Sequence, residues 1–163
     1  MPTKDINFTI NQIKGSNKVL INLTLLGICF TIFTFIATIN PVLLKNDLLA
    51  IQLVLSIPFF MSAILIQSKI SCLTDASRWR NMGFLTFIIA YGFLINAVGL
   101  MLSFFTSSLL VSVFFIVNIF LSIMYSAIEI SADKDLFREK LYRDSVFIAI
   151  MILGGLLPAL GVY

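Results

Sequence analysis

Long apolar runs separated by short polar ones divide the chain. Val19–Ile39, Leu48–Gln67, Met82–Leu102 and Leu109–Ile128 are almost wholly apolar, and a weaker run covers 146–163. From Asn81 to Ile128 there is no charged residue, and only the small polar turn Ser103–Ser108 divides that stretch in two. A helix rises about 1.5 Å per residue and a bilayer core is about 30 Å thick, so each of the first four runs is long enough to cross. The pattern predicts an all-α integral membrane protein, a bundle of five transmembrane helices. The last run contains Gly154, Gly155 and Pro158, so four helices plus a re-entrant segment is the alternative. Residues 1–18 read as a polar segment, and 19–163 as a single transmembrane bundle, because no Gly-, Ser- or Pro-rich linker interrupts them.

Local signals refine the elements. Ile6, Ile10 and Ile13 share one helical face, which suggests a short helix lying at the membrane surface, with a frayed terminus as its rival. Gly15–Ser16 is expected to break that helix before the first span. Val19–Ile39 is too long for the apolar core of a cleaved leader, so it is expected to stay as an anchor. Asn40–Pro41 ends this span because the residue before proline is pushed out of the helical region. Pro58 lies inside the second span and is expected to kink it. Ser131–Ser145, which contains neither Gly nor Pro, is expected to carry the fourth span onward as a charged helix. The pairs Glu139–Arg143 and Lys140–Asp144, four residues apart, would support it.

Composition agrees with the pattern. Of the 163 residues 60% are hydrophobic and 12% charged, against about a quarter charged in a soluble domain. Net charge is +3, and all Lys and Arg except Lys45 fall on one side of a five-span topology. Positive segments resist translocation, so this asymmetry predicts an N-terminus in the cytoplasm and a multi-pass protein of the plasma (inner) membrane. The lipid bilayer accounts for the basic excess, and no direct nucleic-acid partner is expected. Cys29 in a span and Cys72 in a polar loop differ in depth and are expected to be free thiols. Histidine is absent. With it go the commonest general base and the commonest metal ligand. No catalytic set, cofactor-binding loop or metal-ligand spacing is present, so neither enzyme activity nor a cofactor nor a metal is expected. The sequons at Asn7 and Asn22 lie in the expected cytoplasm and inside a span, where neither should be glycosylated.

Small and polar residues form rows at helical spacing. The first span carries Thr24, Gly27, Thr31, Thr34 and Thr38; the third carries Gly92, Asn96, Gly99 and Ser103; the fourth carries Asn118, Ser122, Tyr125 and Glu129. In the second, Gln52 and Ser56 share a face, with Gln67 farther along it. Such rows let helices approach closely and hydrogen-bond to one another, or they line a polar path between copies of the chain. Gly92 and Gly99 are expected to tolerate a side chain less well than Gly83 near the span end. Glu129 is expected at the solvated mouth of the fourth span. Phe137 and Leu141 form an apolar edge on the charged segment, and with Arg138 and Trp79 they are the candidate contacts for a cytosolic protein. Two functional expectations follow. One is an oligomeric, non-enzymatic membrane platform, sensor or anchor that docks such a partner. The other is a homo-oligomeric channel or small-solute permease with a path lined by Thr, Ser and Asn.

Overall fold

A computed structural model describes residues 2–73, 77–132 and 137–161, and over these the chain is helical without strands. Helix α1 spans Pro2–Ile39, α2 Asp47–Cys72, α3 Ser77–Ser103, α4 Ser108–Ala132 and α5 Phe137–Met151. A π-helical turn, Ile152–Leu156, joins α5 to the short α6, Leu157–Ala159. Five helical stretches are long and apolar enough to cross a membrane: Gly15–Ile39, Asp47–Cys72, Trp79–Ser103, Ser108–Ser131 and Lys140–Ala159. The last includes the Gly-Gly-Pro segment, which is accommodated as a π turn within a continuous rod.

The first connector is a 3₁₀ turn, Pro41–Lys45, with proline at its start. Asn46 then caps α2, its side-chain oxygen accepting from the Leu49 N–H at 3.0 Å. Pro58 lies inside α2, which continues on both sides of it. Cys29 and Cys72 are free, the first buried and the second exposed.

One expected break is absent. Gly15–Ser16 does not end a helix, because α1 runs unbroken through it. Gly15 is buried instead, and a Cβ there would lie 2.7 Å from the Ser71 Cβ and 3.2 Å from the Gln67 carbonyl of α2. Its missing side chain serves close approach of two helices, and propensity yields to packing. At 38 residues, α1 is about 57 Å long at the standard rise and outreaches a bilayer core. The side chains of Ile6 and Ile10 lie outside the described residues, and Ile13 is exposed.

The charged segment after α4 is not one extension of the fourth span. Helix α4 ends at Ala132, and from Phe137 the chain is already in the last spanning rod. The two helices are antiparallel: Ser126 meets Asp144 and Glu129 meets Lys140. Lys140 and Asp144 thus pair across helices in preference to each other. The Glu139 side chain, and with it the Glu139–Arg143 pair, lies outside the described residues, as do Asp133, Lys134 and Asp135.

α1 packs chiefly on α2, α2 on α3, and α3 on α5 and α4. One apolar core, including Cys29, Ile36, Leu53, Phe60, Ala90 and Leu94, joins α1, α2 and α3. A second, around Ile88, Val111, Phe115, Phe147 and Met151, joins α3, α4 and α5. Helix α3 belongs to both, and its glycines permit this. Gly92 faces Ile150, whose Cγ2 would be 2.8 Å from an added Cβ. Gly99 and Gly155 lie against the ring of Phe115 from two different helices, and a Cβ at either would collide with it. Gly83 is no more permissive, since a Cβ there would be 2.7 Å from Ile66 Cγ2; being near a span end does not make it loose. Gly27 meets nothing within 4 Å.

Gly99→Leu and Gly155→Leu are therefore expected to destabilise the bundle by about 1–3 kcal/mol each, the usual cost of overpacking. Gly27→Leu should stay within about 0.5 kcal/mol of the unsubstituted chain, as surface changes do. Thermal unfolding of the three variants in detergent checks the order.

Candidate functional site

Farther from the charged connectors, the interior is closed by a polar cross-link. Pro158 has no N–H, so the Gly154 carbonyl four residues earlier lacks its α-helical donor. The π turn shifts the ladder as well, with the Leu157 N–H bonding to the Ile152 carbonyl. Side chains from two other helices donate to carbonyls of this rod. Gln52 of α2 donates to Gly154 O at 2.6 Å, and Asn96 of α3 donates to Ile150 O at 2.8 Å. Both amides are buried, and their oxygens have no hydrogen-bond donor among the described residues. With the Phe115 ring between Gly99 and Gly155, this half of the bundle is tightly filled.

Toward the charged connectors the helices part around a cavity of about 520 Å³, within the range of about 300–1,000 Å³ usual for small-molecule sites. Helix α3 gives it an aromatic wall. Phe87 stacks on Tyr91 at 5.9 Å between centroids, and Tyr91 on Phe147 of α5 at 6.0 Å. Phe84 meets Phe87 edge-on, and the Arg143 guanidinium lies 3.3 Å over the Phe84 ring. Asn118, Ser122, Tyr125 and Ser126 of α4 line the opposite side. Lys18, Ile21 and Asn22 of α1 and Gln67 of α2 complete the enclosure.

The mouth is charged. Lys18, Lys140 and Arg143 line it together with Asp144. Lys140, only 7% exposed, forms an ion pair with Glu129. The Tyr125 hydroxyl donates to Glu129 at 3.0 Å, and the Ser126 hydroxyl donates to Asp144 at 2.8 Å. These contacts tie the charged ends of α4 and α5 together beside the opening.

The rows read from the sequence are thus divided. Thr31, Thr34 and Thr38 face outward and are exposed; the Thr31 hydroxyl bonds back to Gly27 O at 2.9 Å, as threonine does in apolar surroundings. Gly92, Asn96 and Gly99 lie in the closed half, in contact with α4 and α5 or the π turn. Asn118, Ser122 and Tyr125 come together on the cavity wall, and Glu129 sits beyond the rim as the partner of Lys140. Phe137, Arg138 and Leu141 are exposed on the first turns of α5. Trp79 is distant from them in role. It packs on Ile66, Ile70 and Leu73 under Lys69, whose Nζ is 4.1 Å from the ring centre.

Asn22, Gln67, Lys140 and Arg143 entered the sequence reading only as a sequon, a residue on a polar helix face and members of ion pairs, not as parts of one site. A signal existed for some of them: Lys18 and Asn22 are four apart, and Lys140, Arg143, Asp144 and Phe147 recur at three- and four-residue steps on one face. The class defined by fold and cavity is a multi-pass, all-helical membrane protein with an internal chamber at one end. The chain matches no known protein family, no curated protein and no solved structure.

Removing one member of a buried ion pair leaves the other unpaired, at a cost of about 3–5 kcal/mol. Glu129→Gln, which leaves the buried Lys140 ammonium without its partner, is expected to show a loss of that order in unfolding measurements. Glu129→Gln combined with Lys140→Met should recover a large part of it, because no buried charge then remains uncompensated.

Proposed function

We propose that the protein is a non-enzymatic membrane sensor or platform, with its charged connectors on the cytoplasmic side of the plasma (inner) membrane and a small ligand in the chamber among α1–α5. The observation that carries this reading is that the cavity is confined to the half near the charged connectors, with no lining residue from the filled half. It opens among charges at one end and stops against the filled half, where Gln52, Asn96 and Phe115 occupy the space that a path would need. A cavity confined to one half of a bundle can hold a ligand and offers no continuous path through the chain. Ligand binding among α1, α3, α4 and α5 would bias the α4–α5 hairpin, and the exposed Phe137–Leu141 edge on that hairpin is the contact offered to a cytosolic protein. Removal of an apolar edge from water is what favours such docking.

Association of copies fits the same reading. Gly27, Thr31 and Thr34 form a shallow outward face of α1 beside Phe30 and Phe35, the small-residue surface that membrane helices use to approach one another. A channel made by this chain would have to run between copies along that face.

In liposomes the purified protein is expected to give no flux of ions or small solutes above empty vesicles. Native mass spectrometry should detect a small-molecule adduct that is lost in Ser122→Trp, which fills the chamber. Flux that survives Ser122→Trp would refute the reading. Reporter fusions should place the N-terminus and the α4–α5 connector on the cytoplasmic side together.

A further inference from the structure

We infer that the chamber takes an uncharged alcohol with a long apolar body, drawn sideways out of the bilayer between α1 and α4, whose hydroxyl donates to Asn22. The inference rests on the reading of the chamber as a ligand site and specifies the ligand.

Asn22 sets the polar requirement. Its side chain lines the chamber and is only 2% exposed, and its amide oxygen has no hydrogen-bond donor among the described residues. A buried acceptor left in this state costs stability. A molecule occupying the chamber can supply the donor that the described residues do not.

The depth of Asn22 restricts the kind of donor. It stands seven residues inside the span that begins at Gly15, about 10 Å along the helix axis. A charged donor such as an ammonium is costly to bring to hydrocarbon depth. An amide N–H brings with it a carbonyl that then requires a donor of its own. A hydroxyl meets the Asn22 oxygen with one small group and leaves the least polarity unmatched.

The aromatic wall asks for an apolar body. Phe87, Tyr91 and Phe147 form a continuous stack across α3 and α5, successive rings being inclined by 14° and 20°. All three line the chamber, with Ile88 beside them. Such a surface favours hydrocarbon over a hydrated sugar or ion.

The way in lies on the lipid side. α1 packs chiefly on α2, while α4 packs on α5 and α3. Ile21 of α1 and Leu121 of α4 both line the chamber, yet they are 52% and 57% exposed. The chamber therefore has an apolar seam toward the bilayer. A molecule entering there comes from the lipid phase, and its tail can stay between the two helices.

The test uses the full chain in nanodiscs of phosphatidylcholine, a lipid without a hydroxyl donor. The probe is a dodecanol carrying a diazirine in mid-chain, and cross-linked positions are mapped by mass spectrometry. Labelling that excess 1-dodecanol removes is expected on residues lining the chamber. Dodecyl methyl ether, which keeps the tail and the oxygen but lacks the O–H, should displace the probe about five-fold less well, the worth of one hydrogen bond. Glycerol, a donor without an apolar body, should not displace it. In Asn22→Leu the alcohol and the ether should become equal. Without ligand in detergent this variant should melt no lower than the unsubstituted chain, because it removes a buried acceptor that has no donor. Leu121→Trp should abolish the displaceable labelling, and its own melting shows that it is folded. An ether that competes as well as the alcohol, an alcohol preference that persists in Asn22→Leu, or a lower melting temperature for Asn22→Leu overturns the inference. Glycerol competing at the concentration of dodecanol overturns the lipid source and identifies a soluble polyol. Displaceable labelling that survives Leu121→Trp overturns entry between α1 and α4. If no displaceable label reaches the chamber but a native adduct is present in the unsubstituted chain and lost in Ser122→Trp, the ligand class is wrong and the chamber reading stands. If there is neither adduct nor displaceable label, both fall.

Discussion

A carbonyl that loses its donor inside a bilayer has no water to turn to, and this constraint organises the closed half of the molecule. Pro158 and the π turn before it displace the hydrogen-bond ladder of the last helix, and the replacements come from two other helices. Gln52 and Asn96 can reach Gly154 and Ile150 only if the rods are very close, and Gly154 and Gly155 provide that closeness. Phe115 then fills the remaining volume, against Gly99 on one side and Gly155 on the other. Satisfied polarity and tight packing are here one requirement, because neither could be met at the wider spacing that larger side chains impose.

The other half of the bundle follows a different physical regime. Near the charged connectors the helices diverge, and aromatic rings and polar groups line the gap without filling it. Charge is held in place by cross-helix contacts: Glu129 with Lys140, Ser126 with Asp144, Arg143 over Phe84. Each gives the charged group a partner, so burial of charge remains tolerable. A rigid half joined to an open half is the arrangement expected of a receptor. The closed part keeps the helices in register while the open part is free to adjust to what it holds.

The five helices were legible from hydropathy alone, since twenty or so apolar residues admit few other structures in a bilayer. Interior detail was legible only in part. The Gly92–Asn96–Gly99 row reads as a contact face, and it is one. The Thr31–Thr34–Thr38 row has the same spacing but faces outward, because spacing defines a stripe without saying which way it turns. Gly15 and Gly83 read as a break and a loose end, yet each is where two helices approach most closely; a glycine's neighbours lie far away in sequence. Lys140 and Asp144 invite pairing along one helix, but the antiparallel return of α5 against α4 offers each a better partner. Asn22 read as an unused sequon and nothing more. Its burial beside a chamber depends on how α1 leans on α2, which no local pattern encodes.

The last rod is the least apolar of the five. Its first turns carry Lys140, Arg143 and Asp144, and its far half carries the carbonyls of Ile150 and Gly154 to which Asn96 and Gln52 donate. Alone in a bilayer it would expose both to hydrocarbon. The ribosome makes α2 and α3 first, so the two amide donors are already embedded when the acceptors emerge. The direction of synthesis thus gives this helix a prepared seat, and the order of the elements along the chain serves as an assembly instruction.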